Sequence, residues 1–177
     1  MKEQTPLKYH PILVSMHWLV FVLVFFALGL GKFMSILPNN ADKIPYLGLH
    51  MTVGLLILLA MTVRLIARLR LPNPAYASAG NKYLDLFGKL VHFGLYLFVF
   101  LMAISGFSLS MQSGLAQIVF GGSGSSLPEN FYVFSARVLH GFVGPVLLGL
   151  ILIHVAAAFY HQLILKDNLF SRMYFKK

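Results

Sequence analysis

The sequence predicts an all-α integral membrane protein whose four transmembrane helices form one bundle. Of its 177 residues, 58% are hydrophobic and only 11% are charged, whereas soluble domains usually carry about 25% charged residues. Four long stretches lack charge, and a helix needs about 20 apolar residues to cross a bilayer. The basic residues lie mainly between these stretches. We therefore predict a single domain over residues 1–177.

Each of the four apolar stretches has clear limits. The first two cover residues 12–31 and 44–63 without Asp, Glu, Lys or Arg. The third begins after Lys89 and reaches about Met111, before a Gly/Ser-rich segment. The fourth lies between Arg137 and Lys166 and is long enough to extend beyond the membrane. With their flanks, these stretches predict helices over about residues 12–33, 46–70, 84–111 and 131–165.

The charges in the loops predict the orientation. Only Lys32, Lys43 and Arg137 lie on one side of the bundle. The other side, which holds both termini and the middle loop, carries eleven basic residues: Lys2, Lys8, Arg64, Arg68, Arg70, Lys82, Lys89, Lys166, Arg172, Lys176 and Lys177. The positive-inside rule therefore places both termini in the cytoplasm. Because topology accounts for most of the net charge of +9, we predict no nucleic-acid partner.

Histidines are the candidate functional residues inside the membrane. The chain has no cysteine, which excludes thiolate metal sites, iron–sulfur clusters and covalent haem attachment. The uncharged stretches contain no carboxylate, and polar residues at such depth usually have a function. Six histidines lie within or at the ends of the predicted helices: His17, His50, His92, His140, His154 and His161.

The depths of these histidines predict two pairs. His50 and His140 lie near the outer ends of their helices, so they form one pair. His154 lies deeper, where either His17 or His92 can face it. His140 and His154 are 14 residues apart, hence about 40° apart around the helix and about 21 Å apart along it. This arrangement suits two stacked cofactors between facing helices, and histidine is a common ligand of haem iron.

Simpler interpretations stand beside this hypothesis. A single intramembrane histidine often only bonds a neighbouring helix, and a histidine-lined transporter without haem is possible, although such proteins usually need carboxylates. His92 is interpreted as a packing or quinone-pocket residue. Arg64 and Arg68 suit either haem propionates or the membrane surface. Glycines near the pairs, Gly54, Gly141 and Gly144, suit either a flat ligand or close helix packing.

Short motifs along the whole chain resemble the bacterial cytochrome b561 family. They are Ser15-Met16-His17-Trp18-Leu19, Leu49-His50, Val63-Arg64-Leu65, Arg68-Leu69, Lys89-Leu90-Val91-His92 with Tyr96, His140, His154-Val155-Ala156-Ala157-Ala158, and Lys166-Asp167-Asn168 with Arg172-Met173. Some members carry an aromatic residue where this chain has Leu165. That difference weakens the transfer of a quinone site to this position.

The resemblance implies a multi-pass protein of the bacterial inner membrane with two haem b groups. Their implied iron ligands are His17 with His154 at the inner site and His50 with His140 at the outer site. The implied activity is that of a superoxide:ubiquinone oxidoreductase, which takes electrons from superoxide or a periplasmic donor. His161 and His92 become candidates for quinone binding or proton supply. The alternative is a haem-bearing subunit that exchanges electrons between the quinone pool and a protein partner.

Overall fold

The computed structural model describes residues 8–174, in which helices are joined by loops and no strand occurs. Residues 1–7 and 175–177, including the predicted inner-side charges Lys2, Lys176 and Lys177, lie outside the described residues. Four long helices and one short helix follow in order: α1 Pro11–Ser35, α2 Ile44–Arg70, α3 Lys82–Ser113, α4 Leu115–Val119 and α5 Ser135–Phe159. The long helices are long and apolar enough to cross a membrane. The predicted fold class is confirmed.

The helix ends follow from local sequence signals. Pro11 starts α1, where its missing N–H costs nothing. The Asn81 side chain accepts a hydrogen bond from the Tyr83 N–H and caps α3. Gly114 ends α3 in the left-handed conformation, at φ 69°, which glycine adopts without steric cost.

Two segments differ from the sequence prediction. The fourth long helix begins at Ser135 rather than at about residue 131, because Phe131–Val133 forms a 3₁₀ turn and Phe134 is extended. The segment after Gly114 includes the short helix α4, which the Gly/Ser-rich composition nearby had obscured. At its other end α5 continues as the π-helical turn Tyr160–Leu165.

The long helices pack most closely as two pairs, α1 with α2 and α3 with α5. The buried core between them is a cluster of apolar side chains: Val24, Val53, Ile57, Met61, Val99 and Leu147. Many large apolar side chains instead face outward, as expected for a bundle surrounded by lipid. Helices α2 and α3 also pack against each other, over a smaller area. Helix α5 contacts α1 and α2 through side chains, at His17–His154 and His50–His140.

Both described ends of the chain lie at the same end of the bundle, called the inner end below. The Tyr9 N–H donates to the Arg172 carbonyl at 3.2 Å, and the Trp18 indole N–H donates to the Met173 carbonyl at 3.2 Å. An even number of spans requires this arrangement. That the inner end faces the cytoplasm stays a prediction.

The opposite, outer end is held by a buried lysine. Lys43 is only 8% exposed, and its ammonium donates to the Leu37 carbonyl at 2.9 Å and to Asn39 Oδ1 at 2.8 Å. The Asn39 amide donates in turn to the carbonyls of Pro128 and Glu129. These bonds connect the α1–α2 turn to the segment before α5.

Candidate functional site

The outer half of the bundle holds one pair of facing imidazoles. His50 on α2 and His140 on α5 have ring centroids 6.1 Å apart, and their planes make an angle of 79°. His50 belongs to the α1–α2 pair and His140 to the α3–α5 pair, so the two rings meet across the centre of the bundle. The predicted depth match between these two residues is therefore reproduced in space.

The inner half holds three imidazoles. The His17 ring on α1 lies 6.2 Å from the His154 ring on α5, with planes at 66°. His92 on α3 is nearer, with its ring centroid 5.0 Å from that of His154. Both residues that depth had left open for pairing with His154 therefore lie beside it.

Ring separations test whether an ion fits between these imidazoles. A metal–imidazole bond is about 2.0–2.1 Å long and a ring nitrogen lies roughly 1.1 Å from the ring centre, so two imidazoles on opposite sides of one ion have centroids about 6.3 Å apart. The separations of 6.1 Å for His50–His140 and 6.2 Å for His17–His154 match this value. The 5.0 Å between His92 and His154 is too short. The two wider pairs therefore have the separation that two imidazoles need in order to bind one iron ion between them.

The surroundings of His140 hold its ring in a defined orientation. Its Nδ1 lies 3.1 Å from the Met102 carbonyl and 3.0 Å from Ser105 Oγ. A proton on Nδ1 can therefore be donated to these oxygens, which leaves Nε2 available to an ion. Gly106 packs against the ring, because a Cβ at that position would lie only 3.1 Å from His140 Cε1.

His50 has a similar glycine neighbour, on α1. A Cβ at Gly31 would lie 3.4 Å from His50 Cε1. The Nδ1 atom of His50 is buried with no hydrogen-bond partner among the described residues. The carbonyl of Ala27, one turn before Gly31 on α1, is nevertheless close enough to interact with the His50 ring, just as the Met102 carbonyl lies one turn before Gly106 and bonds His140. The two outer imidazoles therefore have similar surroundings.

The two predicted arginines lie at the inner end. Arg64 Nη1 donates to the Leu13 carbonyl at 2.7 Å, one turn before His17. Arg68 Nη1 donates to Asn73 Oδ1 at 2.6 Å, and its guanidinium lies 5.3 Å from the centre of the Tyr9 ring. Both side chains therefore bond the protein itself while staying near the inner imidazoles.

Comparison with known proteins identifies the family. The sequence profile of the prokaryotic cytochrome b561 family matches residues 8–176. The chain belongs to this family. Its members are membrane electron-transfer proteins that carry b-type haem, so this chain is a multi-pass membrane cytochrome.

Two curated relatives of this cytochrome match over nearly their full lengths. Cytochrome b561 homolog 2 of Escherichia coli (strain K12) is 29% identical over 177 aligned residues, which cover 96% of this chain and 92% of the relative. A probable superoxide oxidase, CybB of Yersinia pestis, is 27% identical over 176 residues, covering 96% and 97%. No solved structure matches the chain.

The remaining predicted residue, His161, lies apart from the inner imidazoles of the cytochrome. It belongs to the π-helical turn after α5, and its Nδ1 lies 2.5 Å from Asp167 Oδ2. No ring contact among the described residues joins it to His17, His92 or His154. The structure thus brings His92, but not His161, to the inner pair.

Sequence reasoning missed the two glycines that touch the outer imidazoles. It had selected Gly54, where a Cβ would meet nothing within 4 Å, Gly141, where a Cβ would meet Arg137 Nη1 at 3.2 Å, and Gly144, where a Cβ would meet Met102 Cε at 3.3 Å. Gly31 and Gly106 lie on the neighbouring helices α1 and α3. Their depth below the outer end matches that of His50 and His140, which was the only signal available.

Proposed function

We propose that this cytochrome is a superoxide:ubiquinone oxidoreductase with two haem b groups. His50 and His140 would bind the outer haem, and His17 and His154 the inner haem. The observation that carries this proposal is the pair of ring separations, 6.1 Å and 6.2 Å, found in opposite halves of one bundle. The relative named as a probable superoxide oxidase supports the choice of donor.

The ligand residues account for electron transfer in preference to oxygen binding. When bound, b-type haem supplies one-electron chemistry at its iron. His50 with His140, and His17 with His154, would supply both protein ligands of each haem iron, and a site with two histidine ligands would favour electron transfer over binding of a diatomic molecule. Because His140 and His154 lie on one helix, about 21 Å apart along its axis, α5 holds both sites at a constant separation.

The basic residues at the outer end are not equally able to attract superoxide, the proposed anionic electron donor. Lys43 is buried and bonded to Leu37 and Asn39, so it supports the loop rather than a substrate. Lys32 is exposed in the last turn of α1. Arg137 lies one turn before His140, with its guanidinium 4.8 Å from the centre of the Tyr132 ring. Arg137 and Lys32 are therefore the cations that would attract superoxide.

Two polar groups at the inner end suit quinone reduction. His92 lies against His154 and also against the Tyr76 ring, at 6.2 Å between centroids. Its Nδ1 bonds the Gly88 carbonyl at 2.8 Å, which leaves Nε2 for a ligand. The His161–Asp167 pair lies nearer the inner surface. We assign proton supply to this pair and quinone contact to His92, while Arg64 and Arg68 would pair with haem propionates.

The first experiment measures haem per protein with a reduced-minus-oxidised spectrum. Wild type is expected to hold two b haems, and His50→Ala and His154→Ala about one each. His17→Ala and His92→Ala form a matched comparison, since both residues contact His154 but only His17 lies at ligand distance. Loss of haem from His92→Ala and not from His17→Ala would refute the inner assignment. A wild type without haem would favour the transporter.

The second experiment tests the reaction itself. Purified cytochrome in lipid is supplied with superoxide and a short-chain ubiquinone, without any other protein. Superoxide-dependent quinone reduction that disappears in His50→Ala is the expected result. If both haems are present but no quinone is reduced, the alternative of an electron-transfer subunit that needs a protein partner is favoured.

A further inference from the structure

A groove with polar and apolar walls lies between α3 and α5 in the outer half of the bundle. Its volume is about 390 Å³, within the range of about 300–1,000 Å³ that small-molecule sites occupy. Its polar lining consists of Ser105, Ser108, Gln112 and Ser135, and leucine and isoleucine side chains form the other walls. Of these polar groups, the proposed electron path involves only Ser105, through its bond to His140.

The polar groups form a line along one face of α3. Ser105, Ser108 and Gln112 follow one another at helical spacing, so they share a face over about 10 Å of helix length. At the outer end of this line the Gln112 amide donates to Ser135 Oγ at 3.4 Å, and its oxygen accepts from the Ala136 N–H. The line therefore runs from the membrane surface to the depth of the outer imidazoles.

One hydroxyl in the groove has no protein partner. Ser108 is partly exposed and makes no hydrogen bond with any described residue, although serine in a helix can bond the carbonyl four residues earlier, as Ser113 does with Leu109. In the hydrocarbon region there is little water to replace that bond. The Ser108 hydroxyl is thus available to a ligand that carries a hydrogen-bonding oxygen.

The floor of the groove contacts the outer site. Ser105 is only 2% exposed. Its hydroxyl donates to the Met102 carbonyl at 3.0 Å and lies 3.0 Å from Nδ1 of His140. A molecule bonded to Ser108 would lie next to this bonded group, one turn away on α3, and hydrogen bonds to a ligand imidazole influence the reduction potential of haem.

We propose that this groove binds the ring of a quinone or quinol from the outer leaflet, separate from the inner quinone contact. Ser108 and Gln112 would bond the ring oxygens, and Leu101 and Leu139 would cover the ring and the first part of the tail. The lipid-facing flank of the groove favours a lipid-soluble ligand over an ion, since Leu139 is 45% exposed. The effect on the outer haem rests on the proposed function, whereas the binding itself does not.

The binding experiment counts ubiquinone-1 bound per protein by equilibrium dialysis, in wild type and in Ser108→Leu, whose larger side chain fills the groove. Thr62→Leu is the matched control, because Thr62 is exposed on α2, away from the groove. Wild type and Thr62→Leu are expected to bind one more molecule than Ser108→Leu. Ser108→Ala, which removes one hydrogen bond, is expected to weaken that site about 2- to 10-fold. Equal binding by all four proteins would overturn the proposal.

A spectroscopic experiment connects the groove to the outer haem. In His154→Ala, which is expected to retain only the outer haem, ubiquinone-1 should shift the Soret band with saturation, and Ser108→Leu should abolish the shift. Dialysis does not depend on haem, and superoxide-driven quinone reduction does not depend on the groove. Failure of the reduction assay alone would therefore refute the proposed function, and loss of the Ser108-dependent binding alone would refute the groove.

Discussion

Gly106→Ala is expected to weaken binding of the outer haem, because the added methyl group reaches the His140 ring. The new Cβ would lie 3.1 Å from Cε1 and 3.5 Å from Nδ1, whereas carbon atoms in contact prefer about 3.5–4.0 Å. The ring must therefore move by a few tenths of an ångström. Forcing an extra methyl group into a packed site costs about 1–3 kcal/mol.

This cost falls mainly on the haem-bound state. Without an iron bond the imidazole can shift by a few tenths of an ångström by straining only its hydrogen bonds to Met102 and Ser105, whereas as a ligand it would also have to keep its position relative to the iron. The helix-propensity gain of alanine over glycine, about 1 kcal/mol, applies equally to both states and cancels in the affinity. An affinity loss of about 5- to 150-fold follows, since each 1.4 kcal/mol corresponds to a factor of ten.

The assay follows haem transfer to excess apomyoglobin in the His154→Ala background, where only the outer haem is expected. Gly149→Ala is the matched control on a long helix, since a Cβ there meets nothing within 4 Å. Gly31→Ala, with a 3.4 Å contact to His50 Cε1, should have an intermediate effect. If Gly106→Ala holds haem as tightly as Gly149→Ala, the inferred packing against His140 is wrong.

Three further predictions concern the two ends of the bundle. Lys43→Met leaves two carbonyl-type acceptors without a donor and should lower the free energy of unfolding by about 1–3 kcal/mol; thermal unfolding should show no such loss for exposed Lys32→Met. Burial raises the pKa of Tyr76 above its ordinary value of about 10. The folded state keeps this proton after the unfolded chain releases it, so stability should fall as pH rises above about 10, and Tyr76→Phe should flatten that fall in unfolding measurements. Arg64→Ala should weaken inner-haem retention about 10- to 150-fold if the guanidinium bonds a propionate, since a hydrogen bond to a charged group contributes about 1.5–3 kcal/mol. If Arg64→Ala retains the inner haem as well as Arg64→Lys does, Arg64 does not bond a propionate and its role is the hydrogen bond to the Leu13 carbonyl.

The fold was accessible from the sequence because a bilayer restricts a spanning chain so strongly. Backbone groups in hydrocarbon must bond within the helix, so long uncharged stretches identify the spans directly. Sequence patterns predicted the ends of the helices less well than the spans. The extended residue Phe134 delays the start of the fourth long helix to Ser135, and the short helix α4 follows Gly114. Short turns depend on tertiary contacts that apolar composition does not record.

The sequence by itself determined the four spans, the depths of the histidines and, through its motifs, the cytochrome b561 family. Depth follows from position along a helix, which is a local property. Only the tertiary structure decided that His17 lies 6.2 Å and His92 5.0 Å from His154, and that Gly31 and Gly106 touch the outer rings. These distances depend on how the helices are rotated and packed against one another. That packing is determined jointly by residues that are far apart in the sequence.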